Sequence, residues 1–289
     1  MTIPASLRRH LTLSPEGTNL VLAGISGVGY LLCLRALIDH GILKNGGEGG
    51  GDVFAYWTAG ANLLAGEPVY GPGVGGYAAF LYLPPLAQLF AFPSQLPFPV
   101  VVWLWRGVVL LGLRATVGSW RSAGIAMLVW PPVISELDAG NVHLLMAAAV
   151  AMMIRGQGVW LLPAALTKFA TLVAVPMALR DDPRGLLKGV GIAGVIVLVS
   201  FALGPSLWFD YARFITGVST FDSGWYNLGA FVPLPLRVGL ASAAIFAAFR
   251  WRRMLAVAAT LALPVLWFHG LSMLVAVAAR PRDRRAEID

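Results

Sequence analysis

The sequence predicts an all-α protein built as a polytopic bundle of transmembrane helices, and three observations carry the prediction. The 289-residue chain is 58% hydrophobic and 12% charged, against about a quarter charged in soluble domains. So few charges cannot coat a water-facing surface, so most of the surface must face lipid. The apolar residues come in runs of membrane-spanning length. The basic residues fall in short clusters between those runs, at Arg8 and Arg9, at Arg250 to Arg253 and at Arg280 to Arg285. Such clusters read as topology signals facing anionic lipid, so the formal charge of +7 does not call for nucleic acid.

Allowing about 17 to 25 apolar residues per crossing, candidate segments run over 20–38, 98–114, 122–137, 140–154, 158–179, 186–205, 234–250 and 254–279. A shorter one at 80–96 is interrupted by Pro84, Pro85 and Pro93, which makes roughly 8–10 membrane segments. The first 19 residues are polar, and 20–38 lacks a small-residue cleavage site, so it reads as an uncleaved anchor. Cys33, the single cysteine, lies inside that run and has no internal disulfide partner.

Arg8 and Arg9 place the N-terminus in the cytoplasm, which makes 39–79 the first non-cytoplasmic loop. There Asp39, Glu48, Asp52 and Glu67 outnumber Lys44. Arg114 with Arg121, Arg155, Arg180 with Arg184 and Lys188, Arg250 to Arg253, and the basic tail 280–289 all prefer the cytoplasm. Simple crossings cannot satisfy every one of them. Broken or re-entrant segments resolve the conflict, and they are expected at 80–96, around Lys168, and around Pro264 to His269. Non-helical backbone at membrane depth is tolerated only where it lines a protein-buried or water-filled cavity, so the three breaks point to one site. A second loop, 206–233, carries Trp208, Phe209, Tyr211, Phe214, Phe221, Trp225 and Tyr226 and reads as interfacial. With no soluble domain or repeat in view, residues 1–289 form a single integral membrane domain with its core at 20–279.

Zinc-ligand spacing, a nucleophile elbow and a Walker phosphate loop are all missing from the sequence, and its four histidines are scattered. Any chemistry rests on carboxylates and cations. Asp52 precedes VFAYWTAGANLLAG, in which Val53, Phe54, Trp57, Ala61 and Leu64 recur at helical spacing and predict a short amphipathic helix on the membrane. The carboxylate either caps that helix or acts as a general base, and it can do both. Lys168 lies in mid-segment, where an ammonium costs about 2.5 to 3.5 kcal/mol. It serves either a phosphate or a structural ion pair. Arg106 is as deep, and pairing with Glu136 is its plainest account. Arg35 is near a membrane end and can snorkel. Asn141 and His143 open a segment, suited to helix capping with Asp138 or to hydrogen bonds with sugar hydroxyls or phosphate. His269 follows Pro264 by five residues, so a kink aims it into a cavity or an interhelical hydrogen bond satisfies it.

Four blocks follow one another in a telling order: DVFAYWTAGANLLAGEPVY, FLYLPPLAQLFAFP with Tyr82, WPPVISELDAGNVHLL followed by ALTKFATLVAVP, and LPVLWFHGL. From about residue 50 to 275 the chain resembles family 87 glycosyltransferases of the GT-C fold, polyprenyl-phosphate-mannose-dependent and often α-1,2 mannosyltransferases of bacterial membranes. The resemblance implies a multi-pass protein of the bacterial inner membrane that moves a sugar, mannose by the family's habit. The donor is a polyprenyl-phosphate sugar, and the acceptor is a lipid or glycan on the non-cytoplasmic face. Asp52 matches the family's catalytic aspartate, Lys168 its intramembrane lysine and His269 its late histidine. Lys168, helped by His269 or Arg213, would hold the donor phosphate. Asp52 would deprotonate the acceptor in a single inverting displacement that demands no metal or other cofactor. This sequence departs from the family at Asn141, where glutamine is usual, and at His143, where asparagine is usual. It is also shorter, which implies a reduced acceptor site. The rivals are a lipid or solute transporter or flippase, whose folds also break helices around midplane charges, and an inactive truncated relative.

Overall fold

The structure is a computed structural model that describes residues 49–70, 80–217 and 232–280. The expected anchor 20–38, the N-terminal arginines, residues 218–231 of the expected aromatic-rich loop 206–233 and the tail 281–289 lie outside the described residues, while the first part of that loop is not a loop but belongs to the helix Pro205–Gly217. Among the described residues the chain is all-helical, with no strand. Two helices, Phe98–Val117 and Pro183–Leu203, are long and apolar enough to cross a membrane.

In order, the helices are α1 (Gly51–Ala65), α2 (Pro84–Ala91), α3 (Phe98–Val117), α4 (Trp120–Val129), α5 (Pro131–Ala139), α6 (His143–Ile154) and α7 (Leu161–Ala165). They continue with α8 (Val175–Asp181), α9 (Pro183–Leu203), α10 (Pro205–Gly217), α11 (Leu234–Ala248) and α12 (Met254–Leu261). Tighter 3-10 turns cover Pro93–Gln95, Phe169–Ala174 and Phe268–Ala278. Proline starts several of these helices, since its missing N–H costs nothing in the first turn. Pro84 and Pro85 therefore open α2 instead of interrupting a longer segment. The expected single segment 122–137 is split at Trp130, held at φ −125° and ψ 85° by the following Pro131.

α1 corrects the sequence reading in two ways. Its N-cap is Gly50, at φ 77°, with no side-chain cap, so Asp52 sits inside the first turn and is not the cap. Gly50 N–H donates to Asp138 O at 2.8 Å, and a Cβ on Gly49 would run into Asp138 and Arg106. The glycines at 49 and 50 are thus packed turn residues. The buried face of α1 is Val53, Ala55, Tyr56, Ala59 and Gly60, while Phe54 and Leu64 of the expected apolar stripe are exposed. The reason is packing: a Cβ on Gly60 would strike the Phe90 carbonyl of α2. Small residues let α1 and α2 approach closely, with Val53 and Tyr56 buried beside them and Phe54 and Leu64 turned outward.

The core is centred on α6, which is buried almost all round and packs on α3, the last 3-10 helix and α12. One end of the molecule is basic. There Arg155 donates to the Ala115 and Thr116 carbonyls at the end of α3, and Arg252 binds the Ile154 carbonyl and the Asp181 carboxylate, the latter at 2.6 Å. Arg180 reaches the Phe249 carbonyl nearby. Gly158 N–H donates to Asp182 Oδ2 at 2.7 Å, so the segment α7 to α8 leaves and rejoins this end. Its tip is Lys168, in extended backbone at φ −148° and ψ 136°. The segment from α12 to Ala278 likewise starts beside Arg253 and ends beside Arg280, with both arginines on one cleft. Its tip is the non-helical stretch from Ala262 to Trp267, next to His269, and Arg237 of α11 binds the Leu263 and Pro264 carbonyls freed there. Around α6, of about 18 Å at 1.5 Å per residue, both tips reach the end opposite the arginines.

Candidate active site

The site is organised by a turn. α5 ends at Gly140, whose φ of 70° only glycine adopts freely and whose missing Cβ leaves room for Val53. Trp105 Nε1–H of α3 fixes the Gly140 carbonyl at 2.7 Å. The reversal delivers Asn141 and His143 to the mouth of α6, both buried.

Asn141 is the hub. Its Oδ1 accepts from Val142 N–H at 2.7 Å, from Lys168 Nζ at 3.0 Å and from Tyr82 OH at 3.2 Å. Three donors on the oxygen orient the amide, so Nδ2–H faces His269 Nε2 at 3.4 Å and that nitrogen accepts. Tyr56 OH, from the buried face of α1, donates in turn to Tyr82 OH at 3.0 Å. Burial, and then the nearby Tyr82 and Asp52, push the Tyr56 phenol far above its ordinary range, so it remains a donor and is no base.

His143 joins a carboxylate to a cation. Glu136 Oε1 accepts the His143 backbone N–H at 2.6 Å, and Oε2 lies 2.9 Å from Nδ1. The carboxylate puts the ring proton on Nδ1, which leaves Nε2 to accept from Lys168 Nζ at 2.9 Å. Lys168 therefore spends one hydrogen on Asn141, one on His143 and has a third for another acceptor. Its ammonium also lies 5.3 Å from the centre of the Tyr82 ring. His269 stands between this group and Asp52, stacked on Trp267 at 6.3 Å between ring centres and 5.3 Å from the His143 ring.

Asp52 approaches His269 Nε2 at 3.9 Å through Oδ2. With Nε2 turned to Asn141, no proton is offered to the carboxylate. Among the described residues no hydrogen bond reaches it, and its side chain is 27% exposed. A part-exposed carboxylate left without a donor at the edge of a polar cluster is available to accept a proton from a bound molecule.

Of the residues singled out from sequence, Asp52, Tyr82, Asn141, His143, Lys168 and His269 come together here. Arg213 does not: it lies on α10, is largely exposed and pairs with Asp210 at 3.1 Å. Arg106 pairs with Asp138 at 3.3 Å and donates to the Leu137 carbonyl, while Glu136 belongs to His143. Burial raises the Asp138 carboxyl above its usual range, and Arg106 opposes the shift. Sequence reasoning missed Glu136 and Tyr56 as members of the cluster. Glu136 had a legible signal, a carboxylate in an apolar run ahead of a glycine turn and a histidine.

The fold also gathers histidines that are far apart in sequence. Glu136, His143 and His269 place ligand atoms within 4.8 Å of one another, a donor set that could hold a metal ion. Both Glu136 oxygens already serve His143, and Lys168 Nζ occupies the lone pair of His143 Nε2, so the charge these donors face is the ammonium.

A structural consequence follows for Glu136. Glu136→Leu leaves the buried N–H and Nδ1–H of His143 without acceptors, at about 1 to 3 kcal/mol each. The variant should unfold several degrees lower in detergent, followed by circular dichroism, while Glu136→Gln, which retains one acceptor, recovers most of the loss.

Protein families, curated proteins and solved structures were all compared with the chain, and none matches it.

Proposed function

We propose that the chain is a polytopic membrane glycosyltransferase of GT-C type in a bacterial inner membrane. It moves a sugar, mannose in the first instance, from a polyprenyl-phosphate donor to a hydroxyl of a lipid or glycan acceptor on the non-cytoplasmic face. One observation carries the reading: separate stretches of chain bring Asp52, Asn141 with His143, Lys168 and His269 into a single cluster. The order of those stretches is the order of the family's motif blocks.

Sidedness supports it. With re-entrant tips at Lys168 and His269, the clusters at Arg155, Arg180, Arg252 and Arg280 fall at one end of the molecule, which the positive-inside rule assigns to the cytoplasm. Asp52 is then at the outer side, where a lipid-linked sugar presents its phosphate at headgroup level and its tail between helices.

In this mechanism the acceptor hydroxyl loses its proton to Asp52 as its oxygen forms a bond to the anomeric carbon. The bond from that carbon to the donor phosphate oxygen breaks, and its electron pair leaves with polyprenyl phosphate. A single displacement inverts the anomeric centre. Lys168, held by Asn141 and His143, points its third hydrogen at the phosphate and stabilises the charge that grows there. Because its acceptors Asn141 and His143 are themselves fixed by Tyr82 and Glu136, little reorganisation is needed during the step.

Purified protein incubated with radiolabelled polyprenyl-phosphate-mannose and a membrane extract should yield a labelled lipid or glycan. No transfer from any lipid-linked sugar would overturn the reading and favour a carrier or an inactive relative.

A further inference from the structure

At the end away from Asp52 lies a cleft of about 880 Å³ that the transfer mechanism does not use. Its two walls are α4, through Ile125, Ala126 and Val129, and the last 3-10 helix, through Leu274 and Val275. Three arginines, Arg155, Arg253 and Arg280, line it as well. All three belong to the basic end: Arg155 ends α6 against the α3 carbonyls, Arg253 precedes α12, and Arg280 follows the last 3-10 helix. The other end is closed by Trp130, whose Nε1–H binds the Leu271 carbonyl at 3.0 Å. Polarity therefore falls along the cleft from guanidinium to hydrocarbon over the length of α4, about 15 Å at 1.5 Å per residue.

Among the described residues these arginines are not spent on carboxylates. Arg155 donates to two neutral carbonyls, and among the described residues no acidic side chain pairs with it, with Arg253 or with Arg280. Positive charge that no acidic side chain among the described residues pairs with, at one end of an apolar trough, matches a molecule with an anionic head and a hydrocarbon tail. A soluble anion would leave the trough empty, and an apolar helix of another protein would leave the arginines facing hydrocarbon. In the membrane orientation proposed above, on which this inference rests, the basic end meets the cytoplasmic leaflet, where anionic lipids concentrate near basic pockets.

We infer that the cleft binds one anionic glycerophospholipid of the cytoplasmic leaflet, with its phosphate against Arg155, Arg253 and Arg280 and an acyl chain along α4 toward Trp130. The site is separate from the donor cluster: α6 lies between them, with His143 at one end and Arg155 just past the other. Because the 3-10 helix forming one wall also carries His269, an occupied cleft braces the element that positions that imidazole.

The test is native mass spectrometry of the full chain released from nanodiscs of equal phosphatidylglycerol and phosphatidylcholine. Phosphatidylglycerol should be retained about 25-fold over phosphatidylcholine, since each of two exposed arginines near an anionic headgroup contributes about fivefold. Arg253→Gln with Arg280→Gln should bring retention close to parity without affecting folding, as neither side chain has a partner among the described residues. Ala126→Trp, which fills the trough and leaves the charges in place, should also release the lipid. Displacement by millimolar inorganic phosphate, or full retention in Ala126→Trp, would reveal an anion site without a lipid and overturn the inference. So would equal retention of the two lipids, or a second copy of the chain or another protein in the cleft. A chain stripped from membranes by alkaline carbonate would sink the membrane reading itself, so the two failures are told apart.

Discussion

Asp52→Asn should lower the rate of sugar transfer by about 10² to 10⁴-fold, the span a general base contributes, while donor binding stays within about threefold of the parent. The asparagine keeps the size and polarity of the side chain but cannot take the acceptor's proton. Other roles for the carboxylate predict much less. It is not the cap of α1, because Gly50 occupies that position, so no capping hydrogen bond is lost. It is not half of a tight ion pair either, since the only approach among the described residues is His269 at 3.9 Å. What remains for a structural role is its favourable place in the first turn of α1, about 0.3 to 1 kcal/mol through the helix dipole. Single-turnover measurement with labelled donor separates the step from binding. Transfer within tenfold of the parent would remove Asp52 from the chemistry.

The breaks in the chain were legible because their causes are local. Pro264 and a lysine in an apolar run each cost so much inside a continuous lipid-facing helix that a cavity was the cheaper expectation. The structure has non-helical backbone at both positions. Long uninterrupted runs such as 98–114 and 186–205 were equally plain, because length and apolarity suffice to set them. Pairings were not. Glu136 and Asp138 lie two residues apart on α5, about 200° around a helix of 3.6 residues per turn. Which of them meets Arg106 is decided by the rotation of α5, set by the Gly140 turn and by Gly50 bonding Asp138, and both are tertiary facts.

Periodicity marks an apolar stripe on α1 without saying which residues meet the rest of the protein. Val53 of that stripe is buried together with Ala55, Tyr56, Ala59 and Gly60, while Phe54 and Leu64 turn outward. The close approach of Gly60 to the Phe90 carbonyl selects that face, and it is a tertiary fact. Arg213 fails differently: nothing in an aromatic-rich stretch tells a cation near the site from one in an exposed i, i+3 pair.

Lys168→Met should reduce transfer about 10² to 10³-fold, the cost of removing one preorganised donor from charge that develops in the transition state. Methionine follows the lysine stem as far as its Cε and lacks only the terminal ammonium, so the loss falls on charge and hydrogen bonding. The fold should survive it. Asn141 Oδ1 retains Val142 N–H and Tyr82 OH, and Glu136 still holds the backbone N–H and Nδ1–H of His143. Only His143 Nε2 is left without a partner, at about 1 to 3 kcal/mol. Lys168→Arg keeps the charge and yet should recover only part of the rate. A flat, forked guanidinium cannot give single hydrogens to an amide oxygen and a ring nitrogen and still aim one at a phosphate. The order parent, then Arg, then Met is what a phosphate-binding role requires. A purely structural lysine would instead make the rate follow thermal stability across the three proteins. Equal rates in Met and Arg variants of matched stability would remove Lys168 from the donor site.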